Sequence, residues 1–281
     1  MNAMSRAWPA AVLAAVVSLF PTAGARADDV HPLLQAGFRA MYGLDFASSE
    51  AAFAEYERLR PDDPLGYAAH AAEVLFREFD RLRVLDAEFY VDDKKLFGEH
   101  DLSPDPAVRL QLFVLAERAK DLSAAVLQQD SGSEQALFAS ALAHGLMADY
   151  KALVERKYWA AAKLGRAGLK DATELLDVNP EFYDAYIWPG VTNYVVGSLP
   201  FPLRWLAKLR GFPGDKMRGI DHLELVAEKG TLLKPYAKTL LVVARLRAKD
   251  RAAARALLAD LSSEFPTNPL FEKHARRLEA P

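Results

Sequence analysis

The feature that most constrains this chain is a helix–stop–helix unit that recurs along it. In AAFAEYERLRPDDPLGYAAHAAEVLF, residues 51–76, two stretches with apolar side chains at helical spacing flank Pro61 and Pro64. Apolar residues at i, i+3, i+4 and i+7 form one stripe on a helix. Proline ends a helix because it has no N–H to donate and its ring meets the preceding turn. The same device recurs in ATELLDVNPEFYDAYIWPG at Asn179-Pro180, in ARALLADLSSEFPTNPLF at Pro266, and more weakly at Asp130-Ser131-Gly132 before SEQALFASALAHGLM. A short amphipathic helix cannot bury its stripe alone, so units of this kind stack on one another. Ala, Leu, Glu, Lys and Arg dominate and are good helix formers. About half the residues (51%) are apolar, enough for a sizeable core. The expectation is an all-α protein of about twelve helices packed as antiparallel pairs, with no linker that would split it into two domains.

Gly37, Asp45, Phe46, Phe53 and Pro61 fall at the spacing of one tetratricopeptide unit. In such a unit a glycine lets two helices approach, aromatics pin the turn and fill the groove, and a proline stops the second helix. The stops at 61, 131, 180 and 266 are not spaced at the roughly 34 residues of a regular array. The prediction is therefore a degenerate α-solenoid over residues 28–281, with insertions between Arg77 and Pro106 and between Gly197 and Gly214. The block YDAYIWPGVTNYVVGSLPFPLRWLAKLRGFPGDKMRGIDHLELVAEKG resembles a family of bacterial exported tetratricopeptide proteins. More weakly, over residues 185–230, it is similar to a eukaryotic tetratricopeptide family of the mitochondrial outer membrane linked to inclusion clearance. The likeness rests on Ser198-Leu199-Pro200, a short apolar-basic helix, Gly211-Phe212, Gly214-Asp215 and Gly219. Trp188-Pro189 departs from the pattern, and a proline there should kink the helix or delay its start.

The first 27 residues read as a secretory signal: Arg6, an apolar stretch from Trp8 to Phe20, breaks at Pro21 and Gly24, and Ala25-Arg26-Ala27 as a cleavage site. The apolar stretch is short of the roughly 20 residues a membrane span needs. Cleavage near Ala27 implies export, to the periplasm or beyond. Cysteine is absent. Disulfides, thiolate metal sites, a cysteine nucleophile and a lipoprotein anchor are therefore excluded. Net charge is −3, from 35 basic and 38 acidic residues, so no basic field for nucleic acid is expected.

Chemistry is scarce. No G-x-S-x-G elbow, H-E-x-x-H, phosphate-binding loop or G-x-G-x-x-G occurs. The six histidines, at 31, 70, 100, 144, 222 and 274, are not paired at ligand spacing. His70 and His144 lie on alanine-rich helices and are read as packed and hydrogen-bonded; His222 is read as part of an exposed face. The acids Asp86, Glu88, Asp92, Asp93, Glu99, Asp101 and Asp105 do not follow the order of a calcium loop. No catalytic residue, metal ligand or cofactor is assigned.

Two surfaces are candidates for binding. The first is the Leu199–Phe212 segment, with Leu203 and Leu206 on one helical face, Trp205 at its edge, and Arg204 and Lys208 opposite. It reads either as a membrane-surface or partner-docking helix or as a shortened crossover buried against its neighbours. The second is the face that the first helix of each pair turns inward: Phe38, Met41, Phe138, Tyr194 and Tyr236 are its candidate anchors. It reads either as a hydrophobic groove or as packed core. The function expected is a non-enzymatic cell-envelope scaffold or adaptor for a protein or peptide, with peripheral membrane contact open. A lipid or small-ligand carrier using the apolar inner face is the alternative, followed by a helical-toroid hydrolase with two facing carboxylates.

Overall fold

The computed structural model describes residues 30–86, 89–90, 102–199, 205 and 214–279. Among them are eleven α-helices and no strand. These are α1 (Pro32–Tyr42), α2 (Phe46–Leu59), α3 (Pro64–Arg81), α4 (Pro106–Gln129), α5 (Glu134–Asp149), α6 (Tyr158–Val178), α7 (Ile187–Gly197), α8 (Lys216–Lys229), α9 (Lys234–Arg247), α10 (Arg251–Glu264) and α11 (Pro269–Glu279). A π-helical turn, Tyr150–Val154, separates α5 from α6, and a 3₁₀ turn, Tyr183–Tyr186, precedes α7. Consecutive helices pack on one another throughout, and α3 also packs on α5 across α4. This is an all-α, solenoid-like array.

The boundaries follow from local chemistry. α2, α4, α6 and α10 end at Leu59, Gln129, Val178 and Glu264, two residues before the punctuation at Pro61, Ser131, Pro180 and Pro266. Five helices, α2, α3, α4, α8 and α10, are started by aspartate oxygens accepting orphan N–H groups. Asp45 accepts from Ser48 N, Asp63 from Leu65 N, Asp105 from Ala107 N, Asp215 from Met217 and Arg218 N, and Asp250 from Ala253 N. Proline occupies the first turn of α1, α3, α4 and α9, where its missing N–H costs nothing. Pro189 falls in the first turn of α7, after the 3₁₀ turn, so the helix starts late as expected. Gly37 is where α1 and α2 cross: a Cβ there would overlap the Phe53 ring. Other stops carry no sequence flag. Leu44, Arg83 and Lys249 take left-handed φ of 60°, 62° and 61° after α1, α3 and α9. Each lets the next N–H reach back five residues, as from Val84 N to Phe79 O at 2.7 Å, the Schellman closure usually given to glycine.

The two ends of the array meet. Tyr42, at the end of α1, donates to Leu232 O at 3.0 Å, and its ring lies 5.7 Å from Phe265. Asn268 Nδ2 donates to Tyr42 O at 2.8 Å, and Thr267 donates to Gly43 O at 3.0 Å. Lys273 on α11 pairs with Asp86 at 2.7 Å, beside the buried His274. The described helices therefore close on themselves rather than leaving an open superhelix.

Closure decides the inner face. Phe38, Met41 and Phe138 are 3%, 1% and 1% exposed, so the expectation that they anchor a partner in an open groove is corrected: they are core. Phe38 stacks on Tyr42 and meets Phe53 edge-on, and Phe138 sits between Phe182 and Trp188. The physical reason is that each inward stripe is shared by the helix's own partner and the next pair, and the closed ends take what an open groove would expose.

Candidate functional site

Three groupings of polar side chains inside or against this core could carry chemistry. The first lies on the inner wall. α5 ends at Asp149, and the π turn that follows over-rotates the chain, with Glu155 N bonding Tyr150 O at 3.1 Å. Such turns often mark functional positions. Asp149 keeps part of its surface open but lies deep among protein atoms, and burial pushes its carboxyl up to about 7, opposed by a hydrogen bond from Tyr236. Tyr236, on α9, has its hydroxyl pushed well above its usual value by burial and then by Asp149, Tyr90 and Tyr42. Phe76 links two of these rings, 5.9 Å from Tyr42 and 6.0 Å from Tyr236. Tyr90 is held through its backbone, where Arg247 Nη1 donates to Tyr90 O at 2.7 Å.

The inner wall thus sets the Asp149 carboxyl among phenols and rings. The groups acting on Asp149 are burial and Tyr236, with no second carboxylate among them. Acid–base cleavage of a glycoside needs two carboxyls about 5–10 Å apart, and among the described residues this grouping supplies Asp149. It can hold or release a single proton near neutrality.

The second grouping joins α5 to α6. Ser140 Oγ donates to Asp171 Oδ2 at 2.7 Å, and His144 Nδ1 lies 2.9 Å from the same oxygen. The residue types are those of a hydrolytic triad, but the order is not. A triad needs the serine on the histidine's far nitrogen, with the acid on Nδ1; here serine and histidine share one carboxylate oxygen. It is an interhelical tether. His70 is likewise tied, 2.8 Å from Glu57. Both histidines are packed and hydrogen-bonded, as their alanine-rich surroundings suggest.

The third grouping surrounds Glu73, fully buried on α3 with Arg77 Nε at 3.0 Å. Burial pushes its carboxyl up to about 7 against the opposing pull of Arg77 and His70. Nothing in this pair is open to solvent on the carboxylate side, so it reads as a structural ion pair. Among the described residues no group of His, Asp and Glu could hold a metal ion.

The predicted binding residues separate. Tyr236 lies in the inner-wall grouping. Tyr194 is part-buried on α7, with Lys216 Nζ 5.7 Å from its ring centre. Leu203, Arg204, Leu206 and Lys208 lie outside the described residues; Trp205 is 57% exposed. His222 is part-buried, not fully exposed, with its ring 5.3 Å from Tyr186. Sequence reasoning missed Asp149. Its only signal was an acid ending an otherwise apolar helix, beside a tyrosine. No protein-family model matches the chain, and no curated protein matches it significantly.

Proposed function

We propose that this chain is an exported, non-enzymatic scaffold of tetratricopeptide-like helix pairs that binds a protein or peptide through its outer surface. The observation that carries the reading is where large apolar side chains are left over. The inward stripes are spent in the core, whereas Val195 and Met217 are 52% and 65% exposed. These two lie at one corner, because the end of α7 and the start of α8 cross tightly: a Cβ on Gly197 would overlap the Lys216 backbone. The corner flanks the 199–213 connection that carries Trp205. A rigid array presenting exposed aliphatic and aromatic groups costs little ordering on binding, and such groups are typical interface anchors.

The carrier alternative finds less to rest on at the inner face. The apolar cavity at the ring closure, lined by Met41, Tyr42, Phe76, Leu258 and Phe271, measures about 50 Å³, whereas small-ligand pockets run to roughly 300–1,000 Å³. Export is supported by the amino-terminal pattern and cleavage near Ala27. A photo-crosslinking amino acid at Met217, in the protein expressed in its own envelope, is expected to give a discrete protein adduct. The same probe at Arg255 on α10 is expected to give none. Adducts at neither position, or equally at both, would sink the assignment of this corner.

A further inference from the structure

A different corner of the molecule combines exposed apolar and aromatic side chains with positive charge. The first turns of α4 and the start of α6 are clamped together by Glu155, which pairs with Arg109 at 2.6 Å, Lys151 at 2.8 Å and Lys157 at 2.9 Å. Those three cations hold the Glu155 carboxyl down at about 2, so its charge is already neutralised. Arg109 and Lys151 also lie over the Phe113 ring, each 4.8 Å from its centre. Around this clamp, large side chains face outward: Leu110 and Val114 one turn apart on α4, 62% and 59% exposed, and Trp159 at the start of α6, 74% exposed.

Charge extends the patch along α6. Between Glu155 and Asp171 the sequence holds Arg156, Lys157, Lys163, Arg166 and Lys170 and no acid. Trp159, Lys163 and Arg166 follow at i, i+4 and i+7, one stripe of a helix, and all three are exposed; Lys170, one turn further, is paired with Glu174 at 2.9 Å and ends the stripe. This basic stripe belongs to a chain whose net charge is −3, so it is a local concentration rather than a general property.

We infer that the α4–α6 corner docks on an anionic phospholipid surface. Tryptophan at one end of a basic stripe sits well at the headgroup level, its ring in the interface and the cations against lipid phosphates. Leu110 and Val114 add apolar contact, which a nucleic-acid phosphate backbone would leave unused. An acidic protein would supply the charge but would not by itself call for the outward aliphatic pair. This surface is distinct from the Leu203–Lys208 segment and does not depend on the scaffold reading.

The test is flotation of the purified full chain, after removal of its amino-terminal signal, with vesicles of phosphatidylcholine alone or mixed with phosphatidylglycerol. Binding is expected only to the mixed vesicles, weakening as salt rises. Lys163→Glu with Arg166→Glu is expected to reduce it at least about ten-fold, since each basic group near an anionic surface contributes on the order of 1 kcal/mol and reversal doubles the change. Trp159→Ser should weaken binding without changing its lipid selectivity, while Arg255→Glu and Arg204→Glu should leave it intact. Circular dichroism of each variant checks that these exposed substitutions keep the fold. Equal binding to neutral vesicles, no binding to either, or loss with Arg204→Glu but not with the α6 variants would each overturn the inference. So would a duplex oligonucleotide bound as tightly as the anionic vesicles.

Discussion

Asp149 is a carboxyl whose protonated form the fold prefers. Its ordinary value is near 3.9, and burial moves it up to about 7 against the hydrogen bond from Tyr236. The folded state therefore takes up a proton that the unfolded state releases. The stabilisation is fully present below the unfolded value and is lost as pH rises through about 7. Glu73, also pushed up to about 7, acts in the same direction. His274, pushed down by burial, acts the other way, because below about 6.5 the unfolded state binds its proton more readily. Asp149→Asn keeps the shape and removes the titration. The melting temperature of the unmodified protein is expected to fall by a few degrees more than that of the variant between about pH 5 and pH 8. Parallel pH curves for the two proteins would show that Asp149 titrates normally.

Among the elements, the junction of the Tyr183–Tyr186 turn with α9 shows a helix start built from a distance. α9 has no side-chain cap of its own. Its approach is held by Asp184, buried, whose carboxylate accepts N–H bonds from Thr231, Leu232 and Leu233 at 3.0 Å each. Gly230 is required beside it, because a Cβ would press on Asp184 Oδ1 and Val226 O. Losing this buried acceptor leaves several donors unpaired, at about 1–3 kcal/mol for each such group. Asp184→Ala is expected to cost more than about 3 kcal/mol in urea unfolding, with the slope of the transition unchanged. A cost below about 1 kcal/mol would mean that water replaces the carboxylate.

At the scale of the molecule, closure couples the two ends of the chain. Asn268 and Thr267 bond to the backbone at the end of α1, and Lys273 bonds to Asp86 after α3. An open array loses stability mainly next to a deletion, because each unit contacts only its neighbours. A closed one transmits the loss to the far end. Truncation after Glu264 is expected to speed amide hydrogen exchange in α1 as well as in α10. Asn268→Ala should do the same more mildly, as expected for one buried bond. Protection of α1 unchanged in both would show that the ends contribute independently.

The sequence by itself determined the helices and their punctuation. Apolar periodicity, the proline stops and the capping aspartates at 45, 63, 105, 215 and 250 act within a few residues, so they are legible without knowing where the chain goes next. The left-handed residues that close α1, α3 and α9, Leu44, Arg83 and Lys249, were not legible, since none is a glycine. Whether Phe38, Met41 and Phe138 face a groove or a core was decided only in three dimensions. An apolar stripe has the same spacing in both cases, and the difference lies in how many neighbours share it. The same holds for Asp149, ordinary in sequence and distinctive once α9 brings Tyr236 against it. Closure depends on contacts between residues about 190 to 226 positions apart. Local pattern carries no record of such pairs, because they arise from the accumulated angles of every helix between them.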